Sequence, residues 1–407
     1  MISVEEALER ILARIEVLSD ERADLLDALH RHLAEPIVSD REIPPWPNSS
    51  MDGYAVRSAD TRDAAAARPV ALRLAGHVAA GSVAARALGP GEAFRIFTGA
   101  PIPDGADAVV PQEEVGAEGE AVRLSAPVAS GACVRPRGED IRMGDVLFDP
   151  GRQLAPADIG LLATLGRHQV RVTRRPRVGI LSTGDEIVDL GGRLGPGQIP
   201  NSNTYSLMAQ VVETGGEPVN LGVAPDTLAQ IEDKLRGGLG CDIVVSSAGV
   251  SVGEHDFVKD ALSRLGAEQH LWLVNMRPGK PVAFASIPRP PKPPLPVFGL
   301  PGNPVSAMVT FELFVRPALV RMGGGPPRPR ALVRAVALAR IPNPGDRRGY
   351  LRVSLERAGA ALGARLTGEQ GSAILRSMAA ADGLAVVPGN TTIEAGQPVD
   401  VMRLRPQ

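Results

Sequence analysis

The chain has 407 residues, with 44 Lys+Arg against 46 Asp+Glu and a formal net charge of −2. At roughly 100–200 residues per domain this length holds two to four domains. A near-neutral charge and only 3% aromatic residues exclude broad electrostatic capture of nucleic acid and a base-stacking platform. Cys133 and Cys241 make neither a disulfide framework nor a CxxC metal site, which points to a reducing cytosol. The acidic start Met1-Ile2-Ser3-Val4-Glu5-Glu6 lacks a signal-peptide core, and no apolar run reaches the ~20 residues that span a bilayer. The expectation is a cytoplasmic protein with no membrane and no nucleic-acid partner.

In chain order, Ser3-x-x-Glu6 is a capping box opening an amphipathic helix through about Leu18. A second helix is expected near Ala23 to Ala34, ending before Pro36. Residues 37–55 are too proline-rich for regular helix. From 68 to 150, β-type runs alternate with turns: Val70–Leu74, Ala93–Phe97, Ala108–Val110, Ala121–Leu124 and Val146–Phe148. Pro156 opens a helix that stops at Gly166. Strand and helix then alternate over about 150 residues, predicting a parallel sheet covered on both faces by helices. Its strands are RVGIL (177–181), PVNLGV, DIVVSS (242–247), HLWLV, PVAFAS and PVFGL. Its helices cover 203–213, a segment after Asp226, 255–265, and Pro304 to about Met322. The Pro-rich segment 287–296 reads as an extended surface loop. Gly323-Gly324-Gly325-Pro326-Pro327 reads as a linker, and the β-rich remainder as a small closed module. The fold class expected is a multidomain α/β protein. It has a central doubly wound α/β domain, a β-rich N-terminal module and a C-terminal small β-barrel.

Ligands of a doubly wound sheet bind beyond the carboxyl ends of its strands. Three turns fall there: Ser182–Glu186 (STGDE), Ser246–Asp256 and Leu300–Ser306. Each combines glycine, which permits close backbone approach, with hydroxyl or acidic groups. Glu186, Asp226 and Asp256 lie near strand ends, where converging carboxylates suit Mg²⁺ and phosphate chemistry. Each feature also has a bland reading. STGDE is equally a capped turn, Asp226 an N-cap, and Arg277 and Lys280 of MRPGKP a solvated turn. Val274 rules out a Walker A loop there. Gly249-Val250-Ser251-Val252-Gly253 matches a nucleophile elbow, but only His255 and His270 follow it, so no triad in the usual order can be built.

Together these motifs resemble one family, the molybdopterin molybdenumtransferases, known as MoeA in bacteria and as the E domain of gephyrin-like proteins. The matching segments run in order from SMDGYA (50–55) through RIFTGAPIPDGADAVVPQEE (95–114), RPRGED (135–140), PADIGLLATLG (156–166) and STGDEI (182–187). They continue with GQIPNSN (197–203), AGVSVGEHD (248–256), MRPGKP (276–281) and GLPGNPVS (299–306), and the tail GSAILRSMAAADGLAVVP also fits. The resemblance covers nearly the whole chain. It implies an enzyme of molybdenum cofactor biosynthesis that takes adenylylated molybdopterin and molybdate, cleaves the phosphoanhydride with Mg²⁺, releases AMP and leaves molybdenum on the dithiolene. It also implies a homodimer with an active cleft shared between subunits. Transient contacts with molybdopterin adenylyltransferase and with molybdoenzyme apoproteins would follow. The implied division is an N-terminal helix, 1–19, packed with the central domain, and a discontinuous linking domain, 20–38 and 145–174. A β-rich module (39–144), the molybdopterin-binding α/β domain (175–324) and the C-terminal barrel (325–407) complete it.

Carried over by motif, Glu186 and Asp226 hold the metal and the nucleotide phosphates, Asp256 lines the same cleft, and Asp52, Thr98 and Asp140 come from the N-terminal module. Thr183, Gly184, Ser247, Gly249, Ser251, Arg277, Lys280, Pro301, Asn303, Pro304 and Ser306 bind the pterin phosphate or molybdate. Backbone N–H groups and Arg or Lys suit a dianion, so the carboxylates must be metal-bound or aimed at the AMP side. The chain departs from the family pattern at Ala248, where Gly is common and which fits if its φ is negative. Leu273 and Arg277 stand where Lys is common, and IPNSN has lost the usual tyrosine and aspartate. Two other readings carry less. A non-catalytic carrier or scaffold of this fold is favoured only by Leu273. Molybdopterin adenylyltransferase activity is opposed by the chain length and the STGDE turn.

Overall fold

Ser3 caps the first helix, Val4–Leu12, accepting the Glu6 N–H at 3.0 Å. The S-x-x-E spacing predicts this bond; the helix ends at Leu12, short of Leu18. The structure, a computed structural model, describes residues 1–119, 121–248, 257–359 and 361–405. The chain forms two units. One comprises Met1–Glu35, Pro150–Ile159 and His168–Gln407, the other Pro36–Asp149 and Gly160–Arg167.

The helix expected over Ala23 to Ala34 does not form. Asp20–Asp24 is a strand paired antiparallel with Gln169–Thr173, in register Asp20↔Thr173, and turns follow it. His30 has φ +65, which no helix interior tolerates. Pairing with a strand almost 150 positions away in sequence overrides the local periodicity.

The central sheet of the first unit runs, edge to edge, Glu217–Ala224, Arg177–Thr183, Ile243–Ser247, Lys292–Leu300, Pro281–Arg289 and Glu268–Leu273. The first four are mutually parallel, and the last two are antiparallel to their neighbours. The sheet is therefore mixed, where strand–helix alternation predicts a parallel one. The reason is local: the Pro-rich segment is a hairpin, not a loop, with strands meeting at Arg289↔Lys292. A connection that short cannot make the crossover that a parallel pair needs. Val4, Ala7 and Ile11 of the first helix pack in one core with Val178, Ile180 and Phe298 of the sheet. The Ile2 N–H also donates to the Leu273 carbonyl at 3.0 Å. The run from Pro304 to Met322 is helical throughout, with a π segment at Phe311–Val315 ahead of Pro317. Pro317 has no N–H for the i−4 bond, which accounts for the local widening.

Five strands of the C-terminal region close into a barrel in the order Arg348–Ala358, Ala361–Leu366, Leu332–Ala337, Pro398–Arg403, Gly383–Val387, and back to Arg348–Ala358. Closure leaves no free sheet edge. The connector before it packs closely: a Cβ on Gly325 would lie 2.5 Å from the His32 ring, and one on Gly324 2.5 Å from Thr173 Oγ1.

The second unit is built on a six-stranded sheet ordered Ala108–Pro111, Gly53–Val56, Glu92–Ile96, Val70–Val78, Ala121–Leu124, Val115–Glu118. Its core includes Val56, Leu72, Ala93, Ala108 and Val122. Gly53 is obligatory here, because a Cβ would sit 2.0 Å from the Val110 carbonyl oxygen of the neighbouring strand. Gly53→Ala is expected to destabilise this unit by about 1–3 kcal/mol, the usual cost of overpacking. An unchanged first unfolding transition by calorimetry would contradict the close approach.

Candidate active site

Arg177–Thr183 lies between Glu217–Ala224 and Ile243–Ser247. The chain leaves Arg177–Thr183 towards one edge of the sheet and leaves Ile243–Ser247 towards the other. The carboxyl ends of these two strands therefore flank a crevice at the point where the strand order reverses, the general ligand position of open α/β sheets. A cavity of ≈ 680 Å³ opens there. Five residues expected at the site line it: Thr183, Glu186, Ser247, Asn303 and Pro304.

Hydroxyl and amide groups hold its walls. Ser182 Oγ lies 2.8 Å from Thr204 Oγ1 and donates to Asn201 Oδ1 at 3.1 Å. Asn203 Nδ2 donates to Ser247 Oγ and to the Gly302 carbonyl, both at 2.6 Å. It thus ties two of the three strand-end turns to the start of Ser202–Glu213. Asn203 Oδ1, on the cavity wall, is buried with no hydrogen-bond partner among the described residues. It is a ready acceptor for a ligand N–H. Sequence reasoning missed Asn203, since only the fold brings position 203 to 247 and 302. Asn303 stands at the N-cap of Pro304–Thr310 yet makes no side-chain cap bond. It lines the cavity. Pro301 and Ser306 are buried beside this turn and do not line the cavity.

The acidic turn is shaped by glycine. Gly184 has φ +138, and a Cβ on it would lie 2.5 Å from Glu186 Oε2. Only glycine lets the Glu186 carboxylate fold back over this backbone. Across the turn, the Asp226 N–H donates to Asp185 Oδ1 at 3.1 Å. Burial, and after it the Asp185 and Glu186 carboxylates, raise the proton affinity of Asp226 above the ordinary range. Asp226 is not the helix cap; Thr227 takes that position before Leu228–Gly237. Asp185, absent from the expected set, is thus part of the acid cluster. Among the described residues, no three His, Cys, Asp or Glu side chains form a closed metal cage. The donor set fits a hard cation held by few carboxylates, the rest of its shell coming from water and phosphate, as Mg²⁺ prefers.

Ala248 has φ +80. This reverses the expectation that alanine is accommodated there by a negative φ. The left-handed region costs an L-residue roughly 1–2 kcal/mol. Its N–H still donates to the Leu300 carbonyl at 3.0 Å. Gly249, Ser251 and Asp256 lie outside the described residues.

Arg277 and Lys280 are exposed and do not line the cavity. Met276–Arg277 pairs in parallel with Arg348–Gly349 of the barrel. A Cβ on Gly279, at φ +99, would meet Thr310 Cγ2 at 2.5 Å, which fixes this turn on the helix behind it. Near it lies Arg352, fully buried, another residue that sequence reasoning missed. Its guanidinium donates to Ser377 Oγ at 3.0 Å and to the carbonyls of Glu369, Gln370 and Gly371. Burial, reinforced by Arg277, lowers its pKa to about 10. It remains charged at neutral pH with no carboxylate partner among the described residues. In the same loop, the Ser372 carbonyl accepts the Val305 N–H at 3.1 Å.

In the second unit, Asp52 Oδ1 accepts both the Thr98 N–H and the Thr98 hydroxyl at 2.8 Å. These bonds hold the Asp52 carboxyl below its ordinary range. Arg95 stacks over Tyr54 and Phe97 at 5.0 and 5.3 Å. Asp140 is exposed in a turn where its N–H donates to the Ile43 carbonyl at 3.0 Å. Cys133 and Cys241 are free thiols.

Ala248→Gly is expected to raise stability by about 0.5–1 kcal/mol, the relief of strain exceeding the added entropy of glycine; an unchanged or lower urea midpoint would overturn the strain. Asp226 predicts a second effect. A carboxyl of raised folded-state pKa destabilises the fold only above the unfolded pKa, and fully above the folded one. Without divalent cation, Asp226→Asn should therefore raise the urea midpoint at pH 7, with the gain shrinking as pH falls through the carboxylate range. A gain that grows towards acid would contradict like-charge crowding.

Comparison with known proteins places this geometry in a family. Residues 2–166 match the MoeA N-terminal region (domains I and II), 179–321 the probable molybdopterin binding domain, and 334–404 the MoeA C-terminal region (domain IV). A molybdopterin molybdenumtransferase of Nostoc sp. is 40% identical over 388 residues, 94% of this chain and 88% of the relative. One from Bacillus subtilis is 35% identical over 99% of this chain and 94% of its own length. The crystal structure of the molybdopterin biosynthesis MoeA protein from Pyrococcus horikoshii superposes with a TM-score of 0.84 at 33% identity, covering 100% of both chains. With family profiles over most of its length and relatives of this identity spanning nearly all of it, the chain belongs to the molybdopterin molybdenumtransferase (MoeA) family.

Proposed function

We propose that this protein is a molybdopterin molybdenumtransferase of molybdenum cofactor biosynthesis. It inserts molybdate into adenylylated molybdopterin and releases AMP. The observation that carries this reading is the separation of charge around one fold. The carboxylates of Asp185, Glu186 and Asp226 gather where two strand-end turns meet beside the switch-point cavity, which Glu186 lines. The cations Arg277 and Lys280, with Arg352 beneath, gather where the sheet's edge meets the barrel. Molybdate is a dianion, so it is drawn to the arginine and lysine turn and repelled by the acidic one.

The chemistry asked of the residues follows. Thr183 and Ser247 border the cavity where the phosphoanhydride would sit, and with Gly184, next to Thr183, their backbone and hydroxyls offer donors. Asn203 Oδ1 accepts from the pterin's N–H groups, and Asn303 lines the cavity beside it. Glu186 and Asp226 would hold Mg²⁺, which supplies charge neutralisation at the phosphates and polarises the bond to be broken. The cleavage is a hydrolysis: water adds to the phosphoanhydride, AMP leaves with one phosphate on the acidic side, and the pterin keeps the other. Ser306, Pro301 and Pro304 shape the turn that seats the pterin phosphate, with Gly249, Ser251 and Asp256 completing the cleft. Asp52, Thr98 and Asp140 are assigned to the site of a partner copy in a homodimer. Asp52 is preorganised for that role by its two bonds from Thr98. The division proposed is 1–19, 20–38 with 145–174, 39–144, 175–324 and 325–407. No helix is long and apolar enough to cross a membrane among the described residues, and a cytoplasmic location with transient contacts to molybdopterin adenylyltransferase and to molybdoenzyme apoproteins fits the chemistry.

Glu186→Gln tests this assignment. Molybdate-dependent AMP release should fall by about 100-fold or more, with folding unchanged by circular dichroism. Near wild-type turnover would sink the role of the carboxylate. An active monomer by light scattering would refute the shared site.

A further inference from the structure

A second cavity, of ≈ 320 Å³, lies away from the switch point. Its walls come from the turn after Asp20–Asp24, the segment leading into Arg177–Thr183, the end of Ser202–Glu213, and the connector running into the barrel. Six arginines line it: Arg31, Arg174, Arg175, Arg316, Arg328 and Arg330. Glu213 is the one carboxylate on its lining among the described residues.

Some of this charge is matched. Arg174 is bidentate to Asp242 at 2.6 Å on both arms. Arg330 meets Glu312 at 2.6 Å and Glu213 at 2.9 Å. Arg31 pairs with Glu21, and Arg316 stands 4.0 Å from Glu312, which Arg330 already engages. The rest is not matched. Among the described residues, Arg175 donates only to the Gly215 carbonyl, at 3.3 Å. Arg328 has no side-chain partner among the described residues. Arg31, though paired with Glu21 and donating to the Thr173 carbonyl at 3.1 Å, is only 8% exposed and leaves its buried Nε with no hydrogen-bond partner among the described residues. Burying a guanidinium with an unmade bond costs about 1–3 kcal/mol, so a residue kept this way in a lined cavity marks a missing acceptor. His32 adds a neutral donor at most. Burial holds its imidazole below the ordinary range, and its N–H is given to the Gly323 carbonyl.

We infer that this cavity is a binding site for a small multivalent phosphate, of the size and charge of a diphosphate. Guanidinium forks match phosphoryl oxygens bidentately. Arg31, Arg175 and Arg328 approach from three walls, so more than one phosphoryl group is needed to meet them all. A ligand there would bridge the connector to the central domain and so tie the barrel's root in place. The site shares no lining residue with the switch-point cavity, and it stands whether or not the proposed reaction does.

Titration calorimetry of the full chain with inorganic pyrophosphate, without divalent cation, tests it. The wild type should bind. The Arg175→Gln/Arg328→Gln double variant should bind at least about tenfold more weakly, while Arg277→Gln/Lys280→Gln keeps the interaction. Inorganic phosphate should bind more weakly than pyrophosphate if both phosphoryl groups are engaged. Exposed Arg328→Gln alone repeats the test should the double variant fold poorly. No binding by the wild type, binding unchanged in the Arg175 and Arg328 variants, or phosphate binding as tightly as pyrophosphate would overturn the inference.

Discussion

One topological constraint shapes the whole site. Arg177–Thr183 has parallel neighbours on both sides, and the chain departs in opposite directions from it and from Ile243–Ser247. No crossover can cover both strand ends at once. The gap that remains is lined with Ser182, Thr183, Ser247 and Ala248, and every other feature of the site is fitted to its rim. Asn203 pins two of the turns together. Gly184 gives Glu186 room to fold back.

Charge is the second organising fact. Burial, and after it the carboxylates at 185 and 186, raise the proton affinity of Asp226, a cost that a bound cation would offset. Arg352 is the opposite case, a buried cation satisfied by carbonyls and one hydroxyl. Neither arrangement is explained by folding alone, since apolar or neutral groups would pack at lower cost. Their opposite signs suit a reaction in which a nucleotide leaves and a metal oxyanion arrives.

Much of this was legible in the sequence wherever the determinant is local. The Ser3 cap, the Gly166 stop, the short strands from Val70 to Phe148 and the switch-point turns all follow from spacing and turn chemistry. The helix expected over Ala23 to Ala34 failed because its periodicity was outweighed by pairing with Gln169–Thr173. The parallel sheet failed at one edge because a proline-rich segment looked like a loop and proved to be a hairpin. Asn203, Asp185 and Arg352 were illegible for one common reason. Their partners are distant in sequence or supplied by backbone, and no local pattern announces them. Ala248 shows the same limit at the level of one dihedral: alanine at φ +80 is set by the turn, not by its own preference.

In this chemistry the acidic turn and the basic turn act in one reaction. The most direct measurement is AMP release from adenylylated molybdopterin by the wild-type protein with Mg²⁺, with and without molybdate. Release that depends on molybdate is the predicted result. Tight binding of the adenylylated pterin with no AMP release in either condition would contradict it and make the protein a carrier.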